Sequence, residues 1–194
     1  MIATRSIAFR IFLLFILGFP AKSLFAQSEF KPWGNLNGVR IKGQLMEFNS
    51  CITVAGKSWL KVSSTGKELQ KPKYTRNGDE QVVNTQIDSL LFTETVNDNG
   101  RGSVKITLRC VFREDTTVKG VYFNVSLPEN IYAGSMVKMG DGKEQPFDQL
   151  RLNTDGEYLH EQAKEIGFAV PSQNIRIRAD SASLIMVRAD TPGA

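Results

Sequence analysis

The stretch SVKITLRCVF, residues 103–112, places Val104, Ile106, Leu108, Cys110 and Phe112 on one parity and Lys105, Thr107, Arg109 and Val111 on the other. Side chains alternate between the two faces of a strand, so this period of two predicts a half-buried antiparallel strand, one face in a core and the other mostly wet. VKGVYFNVSLP, residues 118–128, repeats the pattern. Val121, Phe123, Val125 and Leu127 share one side, Tyr122, Asn124 and Ser126 the other, and Pro128 ends the run. QIDSLLFTETV, residues 86–96, is a third such run, in which adjacent Leu90 and Leu91 leave the buried face ambiguous.

Turn chemistry separates these runs. In RNGD, residues 76–79, Asn77-Gly78 is a strong hairpin signal because both residues tolerate positive φ. NDNGRG, residues 97–102, and GDGK, residues 140–143, read as further tight turns. The segment WGNLNGVRIKGQLMEFNS, residues 33–50, reads as the first strand: Val39, Ile41 and Leu45 face inward. Met46 and Phe48 fall on the other parity, so the phase slips after Gly43, as at a bulge or in a strand buried on both sides. IGFAV, NIRIRA and SLIMVRA carry the β pattern towards the C-terminus, and a short helix is predicted only around residues 158–165. Many short strands with Gly, Asn and Asp turns predict an all-β, antiparallel β-sandwich, supersandwich-like, with at most one short helix. A closed β-barrel is the alternative.

The N-terminal MIATRSIAFRIFLLFILGFPAKSLFAQ has Arg5 and Arg10 before the apolar run at residues 11–17, then Gly18, Pro20 and small or polar residues. This is the pattern of a secretory signal peptide over residues 1–26, with cleavage after Ala26 leaving Gln27. The run is too short for the roughly 20 residues of a membrane-spanning helix. Export to the periplasm, the outer surface or the medium is therefore expected, with no membrane span. The whole chain has 24 basic and 20 acidic residues, but the leader contains Arg5, Arg10 and Lys22 and no acid, leaving 21 against 20. That near-neutral, interleaved charge argues against a nucleic-acid partner. Residues 27–194, roughly 165 residues, suit a single sandwich domain. Cys51 and Cys110 are a disulfide candidate in an oxidising compartment, worth roughly 4 kcal/mol in the chain-entropy picture. Two buried free thiols fit the sequence equally well.

Chemistry is sparse. His160 is the single histidine, so no H-E-x-x-H zinc motif exists, and no G-x-S-x-G nucleophile turn or phosphate-cradling loop is present. His160 reads as a surface or helix-end residue. NDNG and GDG offer oxygen ligands but lack the spacing of a twelve-residue calcium loop, so they read as turns. No catalytic residue, metal or cofactor is assigned. Glu94, Asp98, Glu114 and Asp115 fall near strand ends, where a hydrolytic acid pair needs two carboxyl groups about 5–10 Å apart. Tyr122, Trp59 and Trp33 are candidates to stack on a sugar ring, Tyr122 above all because it lies on the polar face opposite Phe123. Core or edge-covering roles for Trp33 and Trp59 compete with that reading.

Together, GVRIKGQLMEFNSCITVAGKSWLKVSSTGKELQKPKYTRNGDEQ and FNVSLPENIYAGSMVKMGDGKEQPF resemble the N-terminal β-sandwich module of large secreted bacterial glycoside hydrolases and other carbohydrate-active proteins. The resemblance covers most of residues 33–190 and rests on texture and strand order. It implies a non-catalytic accessory module linked to polysaccharide degradation, with glycan or a catalytic domain as partner. The resemblance implies that the acids of such a protein lie in a following catalytic domain, before which this chain would be truncated. A structural or protein-interaction domain is the second expectation, and a small stand-alone glycoside hydrolase the third.

Overall fold

The computed structural model describes residues 27–57, 61–66, 70–99, 102–115 and 117–188. The leader expected at residues 1–26, Trp59, and Gly100 and Arg101 of the NDNGRG segment lie outside them. The described chain is mostly antiparallel strand, with one four-residue helix, α1 (Glu129–Tyr132), and a 3-10 turn at Phe147–Gln149.

One layer is formed by β6 (Lys73–Asn77), β7 (Glu80–Ile87), β8 (Leu90–Asp98) and β9 (Val104–Phe112), side by side in that order. The pairs Gln81↔Val96, Val83↔Glu94, Thr85↔Phe92 and Ile87↔Leu90 put one buried face on β7 and β8. Two three-stranded sheets pack on that face. The first is β1 (Gln27–Phe30), β2 (Leu36–Ile41) and β3 (Gln44–Glu47). The second places β4 (Asn49–Gly56) between β10 (Val118–Ser126) and β5 (Val62–Ser64). Phe30, Leu36, Val39 and Phe48 meet Val83 and Val96 in one cluster, while Ile52 and Val54 meet Ile87, Leu90 and Phe92 in another. This is the all-β sandwich architecture read from the sequence, and among the described residues no sheet closes into a barrel.

Residues beyond β10 add a further sheet, β12 (Gln145–Pro146), β11 (Met136–Met139), β13 (Glu157–Val170) and β14 (Gln173–Arg188) in that order. Its own core gathers Tyr132, Val137, Met139, Ala163, Ile166 and Phe168, and Leu127 and Ile175 pack against both this cluster and the first. β13 and β14 form a hairpin on the order of 45 Å long. Its base is tied by Glu157, which accepts from Arg188 Nε at 3.1 Å and from Asn153 Nδ2 at 3.2 Å and pairs with His160 Nδ1 at 2.6 Å. Arg188, then His160, holds the Glu157 carboxyl at about 2, well below the usual range.

Four local expectations are corrected. The phase slip after Gly43 is a chain reversal: β2 and β3 are joined by Lys42-Gly43, both at positive φ, and Val39 pairs with Met46. In RNGD the turn is Gly78-Asp79, because Asn77 already pairs with Glu80. The helix expected at residues 158–165 is strand β13, whose Leu159 and Glu161 pair with Val187 and Ile185, so long-range pairing overrides helix propensity. On β9, Val104 and Ile106 pack inward, but Leu108 and Phe112 are 40% and 48% exposed, because β9 is a terminal strand that the facing sheets only partly cover.

The first strand is fastened to the far layer by polar groups. Ser28 donates to Asp98 through its N–H at 2.9 Å and its hydroxyl at 3.0 Å; Gln81 Nε2 donates to that hydroxyl at 2.9 Å, and Tyr74 donates to Gln81 Oε1 at 2.8 Å. Ser28 and Gln81 are buried, so breaking the chain leaves desolvated groups unpaired. Ser28→Ala is expected to destabilise the fold by about 1–3 kcal/mol in urea unfolding, against less than about 0.5 kcal/mol for an exposed serine such as Ser181→Ala.

Candidate functional site

Alternation along β10 puts Val121, Phe123 and Val125 on the same side as Val54, Ile52 and Ser50 of β4; Phe123 and Val125 pack against the core, whereas Val121 is 41% exposed. Tyr122 and Asn124 therefore project from the outer face, opposite Thr53 and Cys51, and Thr53 in turn pairs with Ser64 of β5. The row Tyr122–Thr53–Ser64 crosses three strands, roughly 10 Å. Asn124 Nδ2 donates to Thr53 Oγ1 at 2.8 Å, and Thr53 and Ser64 hydroxyls lie 2.7 Å apart. Tyr122 lies back along its own strand over Gly120, where an added β-carbon would fall 2.5–2.7 Å from the phenol end of the ring. The ring thus occupies the space of a side chain two residues earlier on the same face, and a larger residue at 120 would make the phenol end of Tyr122 move. The result is an outer face that carries polar side chains beside a half-buried aromatic.

Of the other sequence candidates, Trp59 lies outside the described residues. Trp33 is half-buried in the turn between β1 and β2, where the Lys31 N–H donates to the Asn35 carbonyl at 2.8 Å and the Gly34 N–H to the Lys31 carbonyl at 3.0 Å. Its neighbour Gly34 abuts the core side of β8, whereas Tyr122 projects from the outside of the opposite layer, so the two aromatics do not share a site. Cys51 and Cys110 are both free thiols. The disulfide candidate fails on parity: Cys51 points outward from β4 beside Asn124, while Cys110 sits on β9 of the other layer, opposite Phe92. His160 is a surface residue as expected, but on strand β13 beside Glu157 rather than at a helix end.

The four acids do not assemble a hydrolytic pair. Asp98 is engaged by Ser28, and Glu114 and Asp115 are exposed beyond the end of β9. Glu94 and Asp98 share a face of β8 but stand four residues apart, roughly 13 Å. Two shallow clefts accompany the C-terminal hairpin. One of about 320 Å³ lies between Ile41, Lys42 and Met46 and the hairpin turn at Ser172 and Gln173. Another of about 270 Å³ holds Glu165, which is already neutralised by Arg176 at 3.1 Å and Arg178 at 2.6 Å. Among the described residues no group of three or more His, Cys, Asp or Glu converges on a metal position. GDG is a tight turn closed by the Gly142 N–H on the Met139 carbonyl at 2.9 Å.

Glu94 is the unusual acid. It is 1% exposed at the centre of β8, between Val83 and Leu108, and neither carboxyl oxygen has a hydrogen-bond partner among the described residues. Gly34, at φ +97°, comes so near that a β-carbon there would sit 3.1 Å from Oε2. Burial pushes the carboxyl up to about 8, so at neutral pH it is a neutral acid within an apolar layer. Parity puts it on the side of Phe92 and Val96, but an acid in such a run usually faces solvent, so its burial is not legible from the sequence.

Comparison of the chain with family models, with curated proteins and with solved structures returned no match. No described helix is long and apolar enough to cross a membrane.

The raised Glu94 fixes the sign of a pH dependence. The folded state keeps a proton that the unfolded state releases above about 4.5, so stability is full below that pH and declines as pH rises towards 8. Glu94→Gln removes this linkage. The stability of the variant relative to the parent is expected to improve by roughly 3 kcal/mol between pH 5 and pH 8 in denaturant titrations; a constant offset would mean that Glu94 is ionised or solvated in the fold.

Proposed function

We propose that this chain is a secreted β-sandwich accessory module linked to polysaccharide degradation, non-catalytic by itself, which contacts glycan through the outer face of β10, β4 and β5. The observation that carries this reading is the Tyr122 surface. A tyrosine ring on the outer face of a sheet offers an apolar surface for the C–H face of a sugar, while Asn124, Thr53 and Ser64 offer donors and acceptors for its hydroxyls. The leader expected at residues 1–26 would deliver such a surface to where polysaccharide is met. The likeness of residues 33–190 to modules of secreted carbohydrate-active proteins points the same way.

A second reading, a domain that binds protein rather than glycan, is favoured by one observation: the partly uncovered apolar face of β9, with Leu108 and Phe112 exposed. The two surfaces lie on different layers, so both roles are compatible with one molecule.

Affinity electrophoresis through gels containing soluble plant, algal or fungal polysaccharides tests the first reading. Retardation by at least one polysaccharide is expected, weakened about tenfold or more in affinity by Tyr122→Ala, roughly 1.4 kcal/mol or more, and left unchanged by Trp33→Ala. Normal mobility in every gel, or retardation indifferent to Tyr122→Ala, would refute the assignment.

A further inference from the structure

Glu94 stands where the two facing sheets meet on β7 and β8. Val83 and Val96 belong to the cluster under the first sheet, Ile87, Leu90 and Phe92 to the cluster under the second, and Glu94 and Thr85 lie between them. The same boundary is stitched by the Leu36 N–H at the start of β2, which donates to the Ser50 hydroxyl at the start of β4 at 2.9 Å. Both Glu94 oxygens and the Thr85 hydroxyl are buried with no hydrogen-bond partner among the described residues. Sideways, Glu94 is enclosed by its ladder partners, Val83 of β7 and Leu108 of β9, which the sheet holds in place. Its removable cover is the turn between β1 and β2. A β-carbon on Gly34 of that turn would lie 3.1 Å from Glu94 Oε2 and 3.5 Å from Val83.

We infer that Glu94 is a proton-dependent latch: protonated, it lets the turn between β1 and β2 and the first sheet close on β8, and ionised, it releases them together while β7, β8, β9 and the second sheet stay paired. A buried carboxylate needs a counter-charge or donors, and the packed elements supply neither to its oxygens. On its own strand, Asp98 shares the face four residues on and is itself an acid, already engaged by Ser28. β7 presents Gln81, Val83 and Thr85, and Tyr74 of β6 is committed to Gln81. β9 brings the Cys110 thiol on the parity of Leu108. From the cover, Lys31 is half-buried in the turn and does not reach either oxygen, and β2 and β4 bring Leu36, Ser50 and Ile52. Relief therefore comes from water, and water is admitted most cheaply where the cover is a turn and a three-stranded sheet rather than a ladder neighbour. The sign follows from burial, which raises the carboxyl from 4.5 to about 8. Closure is fully favoured below about 4.5 and weakens as pH rises to about 8, the opening constant growing about tenfold per pH unit in the upper part of that window.

A latch differs from a mere loss of global stability in what opens. Native-state hydrogen exchange in low urea at roughly pH 5.5 and 8.5, with each amide's intrinsic rate divided out, separates the two. At the higher pH the amides of β1, β2 and their turn are expected to exchange through one shared opening. That opening is expected to depend less on urea than the opening of β8, and to leave these amides about tenfold or more less protected than β8. Their protection is expected to fall about a hundredfold or more between the two pH values in the parent. In Glu94→Gln, which keeps the shape and cannot ionise, it is expected to be the same at both. β1 and β2 exchanging only together with β8, at the urea dependence of β8, would overturn the latch and leave Glu94 acting on global stability alone. Protection of β1 and β2 that does not change with pH in the parent, or changes equally in Glu94→Gln, would also overturn it. The urea comparison uses the parent chain alone, so it decides the matter whatever the stability of the variant.

Discussion

The sandwich depends on the core-side face of β8. Leu90, Phe92, Glu94 and Val96 are all buried there, and through them one layer holds both facing sheets, the first at Val96 and the second at Leu90 and Phe92. Each fully buried large aliphatic or aromatic side chain contributes roughly 1.5–3 kcal/mol, so these positions outweigh the exposed ion pairs. The Arg40–Glu29 and Lys61–Asp88 pairs, both with substantially exposed side chains, add little by comparison. A single acid is accommodated in this face only because it is held neutral, and the cost grows as pH rises.

Strand parity then decides which chemistry reaches the surface. The same alternation that sends Phe123 inward sends Tyr122 outward, and Gly120 two residues earlier leaves room for the phenol end of its ring. On β9 the alternation is equally regular, but the strand lies at the end of its layer, so only Val104 and Ile106 find cover. One sandwich therefore presents an aromatic and polar face on one layer and an apolar edge on the other.

Much of this was legible from the sequence because period-two patterning is a local property. β9 and β10 stand where their alternation puts them, and the outward position of Tyr122 follows from its neighbours. What escaped depends on distant pairing. Residues 158–165 carry Glu, Gln, Ala and Lys, good helix formers, yet β14 claims them as strand. The reversal at Lys42-Gly43 was masked because lysine rarely takes positive φ, so the phase change resembled a bulge. Burial of Glu94 and exposure of Phe112 were hidden for one reason: parity assigns a side, but only the packing of other strands decides whether that side is covered. The polar row on the outer face needed the register of three strands, which no single segment encodes.

The central claim, that β8 organises the core and β9 is its open flank, is tested most directly by residue-resolved amide hydrogen exchange at two protein concentrations. The account predicts that β8 amides are among the slowest in the molecule at both concentrations. It also predicts that alternate β9 amides exchange quickly, as at an uncovered edge. β8 amides exchanging as fast as those of the short edge strand β6, or β9 amides protected throughout in dilute solution, would contradict it.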